Sequence, residues 1–293
     1  MRADPDGESA TVRWVICAVV MLALTPPAFA GDLDILRGTE SVGAATFPRW
    51  SGFYFGGQVG YSDGSANFAN ATQPLLSYSL RELQLEADDA PSNWPILGNG
   101  TSGKAGFGGF VGYNTQWQDL ILGLEANYTH SPFTVTATES PISRVVTVGS
   151  DLDSVTLEGS ASLQITDFAS LRARAGWAFS NFLPYGFAGV ALARASYSVT
   201  SLAFGQQSSA TPPAVPVIPC DPINVTTCVD YSYSNSAGKN NTLLYGFSVG
   251  GGVDVSLASN IFLRAEYEYV QFAPFASITA SISSARIGAG LKF

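Results

Sequence analysis

A single histidine, three cysteines and two methionines occur in 293 residues, and charged residues make up only 13% of the chain. Metal centres built on histidine and cysteine therefore have too few ligands. Basic residues are scarce as well: 14 Lys and Arg stand against 23 Asp and Glu, a net charge of −9, which excludes a nucleic-acid surface. Long hydrophobic runs are absent except for Trp14–Leu24, so a bundle of membrane-crossing helices is excluded too. That run is shorter than the ~20 residues a spanning helix needs. It is followed by Thr25-Pro26-Pro27 and the small-x-small triplet Ala28-Phe29-Ala30. The pattern predicts a signal peptide over 1–30, cut after Ala30 and exported by the Sec route, rather than a retained anchor. Asp4, Asp6 and Glu8 are foreign to a signal peptide's positive start, and translation from position 12 would remove them. The mature chain would carry a charge of −8, because residues 1–30 hold two basic and three acidic residues.

What the chain does have is glycine (30 residues) and aromatics (12%) arranged with period 2. The final run Ala285–Phe293 is the clearest case. Ala285, Ile287, Ala289, Leu291 and Phe293 alternate with Arg286, Gly288, Gly290 and Lys292. On a strand these sets fall on opposite faces, one suited to hydrocarbon and one polar or empty. The same alternation recurs upstream and defines eight strands: Trp50–Tyr61, Ala105–Trp117, Leu120–His130, a fourth ending at Phe179 and starting as early as Val155, Pro184–Val199, Leu243–Val255, Ile261–Val270 and the terminal strand. Short connections (118–119, 180–183, 256–260) alternate with long polar ones (62–104, 131–154, 200–241) and a brief one near 272–278. The fold class expected is all-β: an eight-stranded antiparallel up-and-down transmembrane β-barrel with long extracellular loops, spanning 50–293 behind a periplasmic leader at 31–49. Within the first long loop, residues 75–90 read as one short surface helix.

Charge parity separates this from a soluble barrel, which puts apolar residues inside. Glu125, Arg172, Arg174, Asp254, Arg264, Glu266, Glu268 and Arg286 all share a face with glycine. They should meet in the lumen as a neutralising network that plugs it; a narrow pore lined by the same charges is the alternative. Trp50, Trp117, Trp177, Phe179, Tyr185 and Phe293 at one set of strand ends, and Tyr61, Tyr128, Tyr197, Tyr245 and Tyr267 at the other, read as two interfacial girdles. Cys220 and Cys228, an even pair in an exported chain, read as a disulfide worth roughly 2–3 kcal/mol. Enzymatic chemistry has thin support. His130 is the one candidate base, and Ser131 beside it points to the opposite face of a strand.

The stretches WSGFYFGGQVGY (50–61), GFGGFVGYN (106–114), LGLEANY (122–128), LRARAGWAF (171–179), LPYGFAGVALA (183–193), RAEYEY (264–269) and RIGAGLKF (286–293) together resemble the alpha-proteobacterial outer-membrane beta-barrel family, OmpA-type eight-stranded surface proteins often labelled porin-like. The resemblance implies an outer-membrane location and a structural or surface-antigen role; no cofactor is expected. It also implies folding by the outer-membrane assembly machinery, with the terminal strand carrying Ile287, Leu291 and Phe293 as the recognition element. Some relatives bind haem or pass small solutes. Tyr78, Tyr231, Tyr233 and His130 are the residues here that a haem would use. Outer-membrane lipid, lipopolysaccharide, and host or environmental ligands meeting 62–104 and 200–241 are the partners expected.

Overall fold

Alternation of this kind satisfies every backbone group only if neighbouring strands pair on both edges, and the chain does this. A computed structural model describes residues 49–148, 151–208 and 228–293. The expected signal peptide (1–30), nearly all of the leader (31–49) and Cys220 of the expected Cys220–Cys228 pair lie outside the described residues. The described strands are β1 (Gly52–Asn67), β2 (Asn99–Trp117), β3 (Leu120–Thr138), β4 (Ile142–Val148), β5 (Asp151–Trp177), β6 (Phe182–Ser208), β7 (Cys228–Ser256), β8 (Ile261–Phe272) and β9 (Thr279–Lys292). Every pairing is antiparallel. It runs β1–β2–β3–β5–β6–β7–β8–β9 and returns to β1, so eight strands close a ring. β4 stands outside the ring and pairs only with the far end of β5.

The strands run well past the expected ends. Much of 131–154 and 200–241 is ladder rather than loop: Phe133–Thr138 pairs with Ser160–Ile165, and Tyr197–Ser208 pairs with Cys228–Lys239. The reason is a change of chemistry at constant period. On β3 the inward residues are Glu125, Asn127 and Thr129, then Phe133, Val135 and Ala137. The outward residues are Leu122, Leu124 and Ala126, then Thr134, Thr136 and Thr138. β5 and β9 invert in the same way, with Arg172 and Arg286 inside one half and Leu163 and Ile282 inside the other. One half of the barrel is apolar outside, as a membrane requires; the other half is apolar inside, as water requires. The outward apolar run Leu120–Tyr128 extends about 26 Å along the strand, roughly 20 Å of height at a ~40° tilt. Register shifts at His130/Phe133, Ile165/Asp167 and Ala195/Tyr197 fall at the boundary between the halves.

The apolar interior of the water-facing half is completed by the first long connection. The segment read as one surface helix at 75–90 forms two short helices with one buried edge: α1 (Gln73–Leu80) and α2 (Gln84–Asp89), followed by a 3-10 turn at Pro91–Asn93. Leu83 is extended between them (φ −90°, ψ 136°), which breaks the helix. Leu76, Leu80 and Leu85 then reach a core with Phe68, Phe133, Leu157 and Ile282. Leu80→Ala should cost about 2–5 kcal/mol by the cavity it leaves. A lowered unfolding midpoint with the barrel still assembled is the expected reading.

The girdles need one correction. Trp117 is 57% exposed and Phe293 76%, but Trp50 (3%) and Tyr185 (7%) are buried and point into the lumen. The alternation of the β6 sequence is weak and Arg194 is its one charge, so its period alone did not show which side is inner. Tyr197 turns inward too and packs against Phe275 with ring centres 6.0 Å apart.

Candidate functional site

The centre of the membrane-facing half is filled by charge. Glu125 comes from β3, Arg172 and Arg174 from β5, Asp254 from β7, Arg264, Glu266 and Glu268 from β8, and Arg286 from β9. All eight are buried, and the four acids balance the four arginines. Register brings them together: Glu125 lies opposite Arg172, Asp254 opposite Arg264, and Glu266 opposite Arg286. Adjacent inward positions are glycine because a larger residue would have no room. A Cβ on Gly56 would lie 2.3 Å from the Phe110 ring.

Glu125 is the hub. Its Oε1 accepts from Arg172, and its Oε2 from Arg264 Nη1 (2.8 Å), Arg174 Nη1 (3.1 Å) and the Tyr54 hydroxyl (2.7 Å). Asp254 takes Arg264 Nε at 2.8 Å and Arg174 Nη2 at 2.8 Å. Glu266 accepts from Arg172 Nη2 (2.6 Å), Arg286 Nη2 (2.7 Å) and the Tyr185 hydroxyl (2.9 Å). Glu268 accepts from Arg286 and from Ser170 (2.9 Å). Three guanidinium groups also lie on aromatic faces: Arg172 over Phe187 at 3.9 Å, Arg174 over Tyr185 at 3.8 Å, and Arg264 over Phe110 at 4.0 Å. These rings explain the inward aromatics: they cover the flat, weakly hydrated faces of arginines that have left water. Arginine rather than lysine suits such a site, since its planar fork engages two acids at once. The alternation in the sequence placed the eight charges on the inner face. It also put Tyr54 and Phe110 on that face, but it did not show that Tyr185 and Phe187 join them in the cluster, because the alternation of β6 is weak.

The remaining candidates do not converge. Ser131 is buried and donates to the Lys104 carbonyl (3.1 Å), while His130 Nδ1 lies 2.8 Å from Asp167 Oδ1. The His130–Ser131 pair is therefore split between partners. Tyr78 is exposed on α1 beneath the Arg81 guanidinium. Tyr231 and Tyr233 lie 5.9 Å apart, and the Tyr231 hydroxyl donates to the Ser154 carbonyl (3.0 Å). Burial pushes the Tyr231 phenol above its ordinary range, so it stays a donor. Among the described residues, no group of three or more His, Cys, Asp or Glu is placed to hold a metal ion. Ile287, Leu291 and Phe293 all face outward on the last strand, and Phe293 stacks on Phe55 with ring centres 5.7 Å apart.

No curated protein matches the chain. Solved structures do. The attachment invasion locus protein Ail of Yersinia pestis, crystallised with the heparin analogue sucrose octasulfate, is 12% identical with a TM-score of 0.33, the match covering 83% of this chain and 99% of that one. Neisserial surface protein A is 14% identical with a TM-score of 0.34, over 83% and 98%. The N-terminal barrel domain of Pseudomonas aeruginosa OprF is 13% identical with a TM-score of 0.29, over 81% and 99%. A family model described as an outer membrane protein beta-barrel domain matches residues 18–293, nearly the whole sequence. With its closed eight-stranded ring and its apolar membrane belt, the chain belongs to the outer membrane beta-barrel domain family.

Proposed function

We propose that this protein is a closed, non-catalytic outer-membrane barrel that contributes to envelope integrity and holds a rigid surface platform outside the membrane. The observation that carries the reading is that the interior is filled twice. The charge network occupies the membrane-facing half, and the α1–α2 segment with its apolar core occupies the other. An eight-stranded ring has room for side chains and little else. The split between His130 and Ser131 favours a non-enzymatic role over hydrolysis by that pair. Export through the Sec pathway with cleavage after Ala30, assembly through the terminal strand, and contacts of the surface hairpins with lipopolysaccharide or host molecules complete the proposal.

Planar-bilayer recording tests it. The refolded protein should give no steady, well-defined openings. A variant with residues 69–97 replaced by a Gly/Ser linker should stay silent as well, since the network alone fills the lumen. Stepwise conductance in the unaltered protein would replace this reading with that of a narrow solute pore.

A further inference from the structure

The lipid-facing wall carries a feature that a purely structural barrel does not need. Three outward residues, His130 on β3, Asp167 on β5 and Arg194 on β6, lie directly opposite one another across adjacent strands. They break the rule that charges face inward, and they do so at the register shifts that mark the edge of the membrane belt. Asp167 Oδ1 accepts the Tyr128 hydroxyl at 2.6 Å and contacts His130 Nδ1 at 2.8 Å. Arg194 is held loosely: its Nη1 is 4.0 Å from Asp167 Oδ2, and the side chain is 66% exposed.

The next row toward the membrane centre is Gly109, Tyr128, Ala169 and Leu192, and the row beyond it contains Ala126 and Val190. These residues line an outward groove of about 560 Å³. Small residues make its floor. A Cβ at Gly109 would meet only the Gly56 carbonyl oxygen, at a tight 3.1 Å, whereas one at the inward Gly108 would meet the Tyr128 carbonyl oxygen at 1.9 Å.

We infer that this wall binds one phosphorylated lipid of the outer leaflet, with a headgroup phosphate on Arg194 and His130 and an acyl chain in the groove below. The charges complement each other. A lipid phosphate at the interface is an anion, and Arg194 is an exposed guanidinium at that level whose pairing with Asp167, at 4.0 Å, is a long one that leaves its other N–H donors free for a ligand. Asp167 is a positioning residue that fixes Tyr128 and His130 at the head of the groove. The inference rests on the reading of this face as lipid-exposed.

Native mass spectrometry of the detergent-solubilised full-length protein would decide it. The probes are lipid A with its phosphates intact and the same lipid A after dephosphorylation. The unaltered protein should retain one phosphorylated molecule with a preference of about tenfold or more, the scale of one charge-assisted hydrogen bond. Arg194→Gln should abolish the preference. Ala169→Leu, which fills the groove, should lower retention of both forms. Equal retention of the two lipids by the unaltered protein and by Arg194→Gln would overturn the inference. So would retention lost on adding EDTA in both proteins alike, which would mean a bridging cation. Inorganic phosphate alone binding at Arg194 and indifferent to Ala169→Leu would overturn it as well. A heat-modifiability gel and bilayer recording on the same preparations separate the two readings. A folded, silent barrel without lipid preference defeats only the lipid site, whereas steady conductance defeats the closed barrel whatever lipid is bound.

Discussion

Replacing Glu125 with glutamine is expected to cost about 3–5 kcal/mol, the scale seen when one partner of a buried ionic cluster is removed. The size follows from its position as hub. Glu125 is met by Arg172, Arg174 and Arg264, and all four residues are buried. The amide leaves a net positive charge in the lumen, and arginine remains protonated at any working pH, so a proton cannot be shed to relieve it. Glutamine has nearly the same shape, so a loss of this size would report charge rather than a cavity. Guanidinium titration of the refolded protein in detergent would measure it, with a lowered midpoint at unchanged slope. A cost below about 1 kcal/mol would mean that water enters the network and screens it. The reverse experiment has the opposite sign. Replacing a whole set of charges by well-packed apolar residues is often neutral or stabilising. The network is thus better understood as fixing which strands pair in which register than as a source of net stability.

The second large effect contrasts two positions on one face of one strand. Leu124→Arg should destabilise by about 2–4 kcal/mol, as for a cation at the bilayer midplane. Thr136→Arg should stay within about 0.5 kcal/mol, as at an ordinary exposed site. Both side chains point out of β3, and both are exposed to whatever surrounds the barrel. The difference between them measures the surroundings and not the protein. Refolding yield into vesicles, followed by denaturant titration, separates the two. Equal costs would show that the apolar belt does not end near the register shifts.

Much of this architecture was legible from alternation alone. The terminal strand, the eight inward charges and the short turns at Gln118–Asp119 and Ser180–Asn181 follow from period 2 and turn chemistry. The water-facing half was legible only where the fourth strand was taken back to Val155 and the fifth run on to Val199, and the cause is physical. Once the surroundings change from lipid to water, the outward residues become Ser and Thr, and that composition reads as loop even where Phe-Thr-Val-Thr-Ala-Thr at 133–138 keeps strict alternation. The break into two helices and their buried edge were missed for a related reason. Leu76, Leu80 and Leu85 sit in a short, polar-looking stretch and gain their partners only when the strands rise around them. Tyr185 and Trp50 were misplaced because an aromatic ring at a strand end fits either face. The row His130–Asp167–Arg194 has no sequence signature, since it exists only across three strands.

The rise of the wall above the belt bears on how an immune system would meet this molecule. Residues 151–165 are ladder, with Val155, Leu157, Leu163 and Ile165 turned inward. Serum raised against a linear peptide from that segment should therefore miss intact cells and stain only boiled protein. Epitopes on the native surface would be discontinuous, assembled from neighbouring strands.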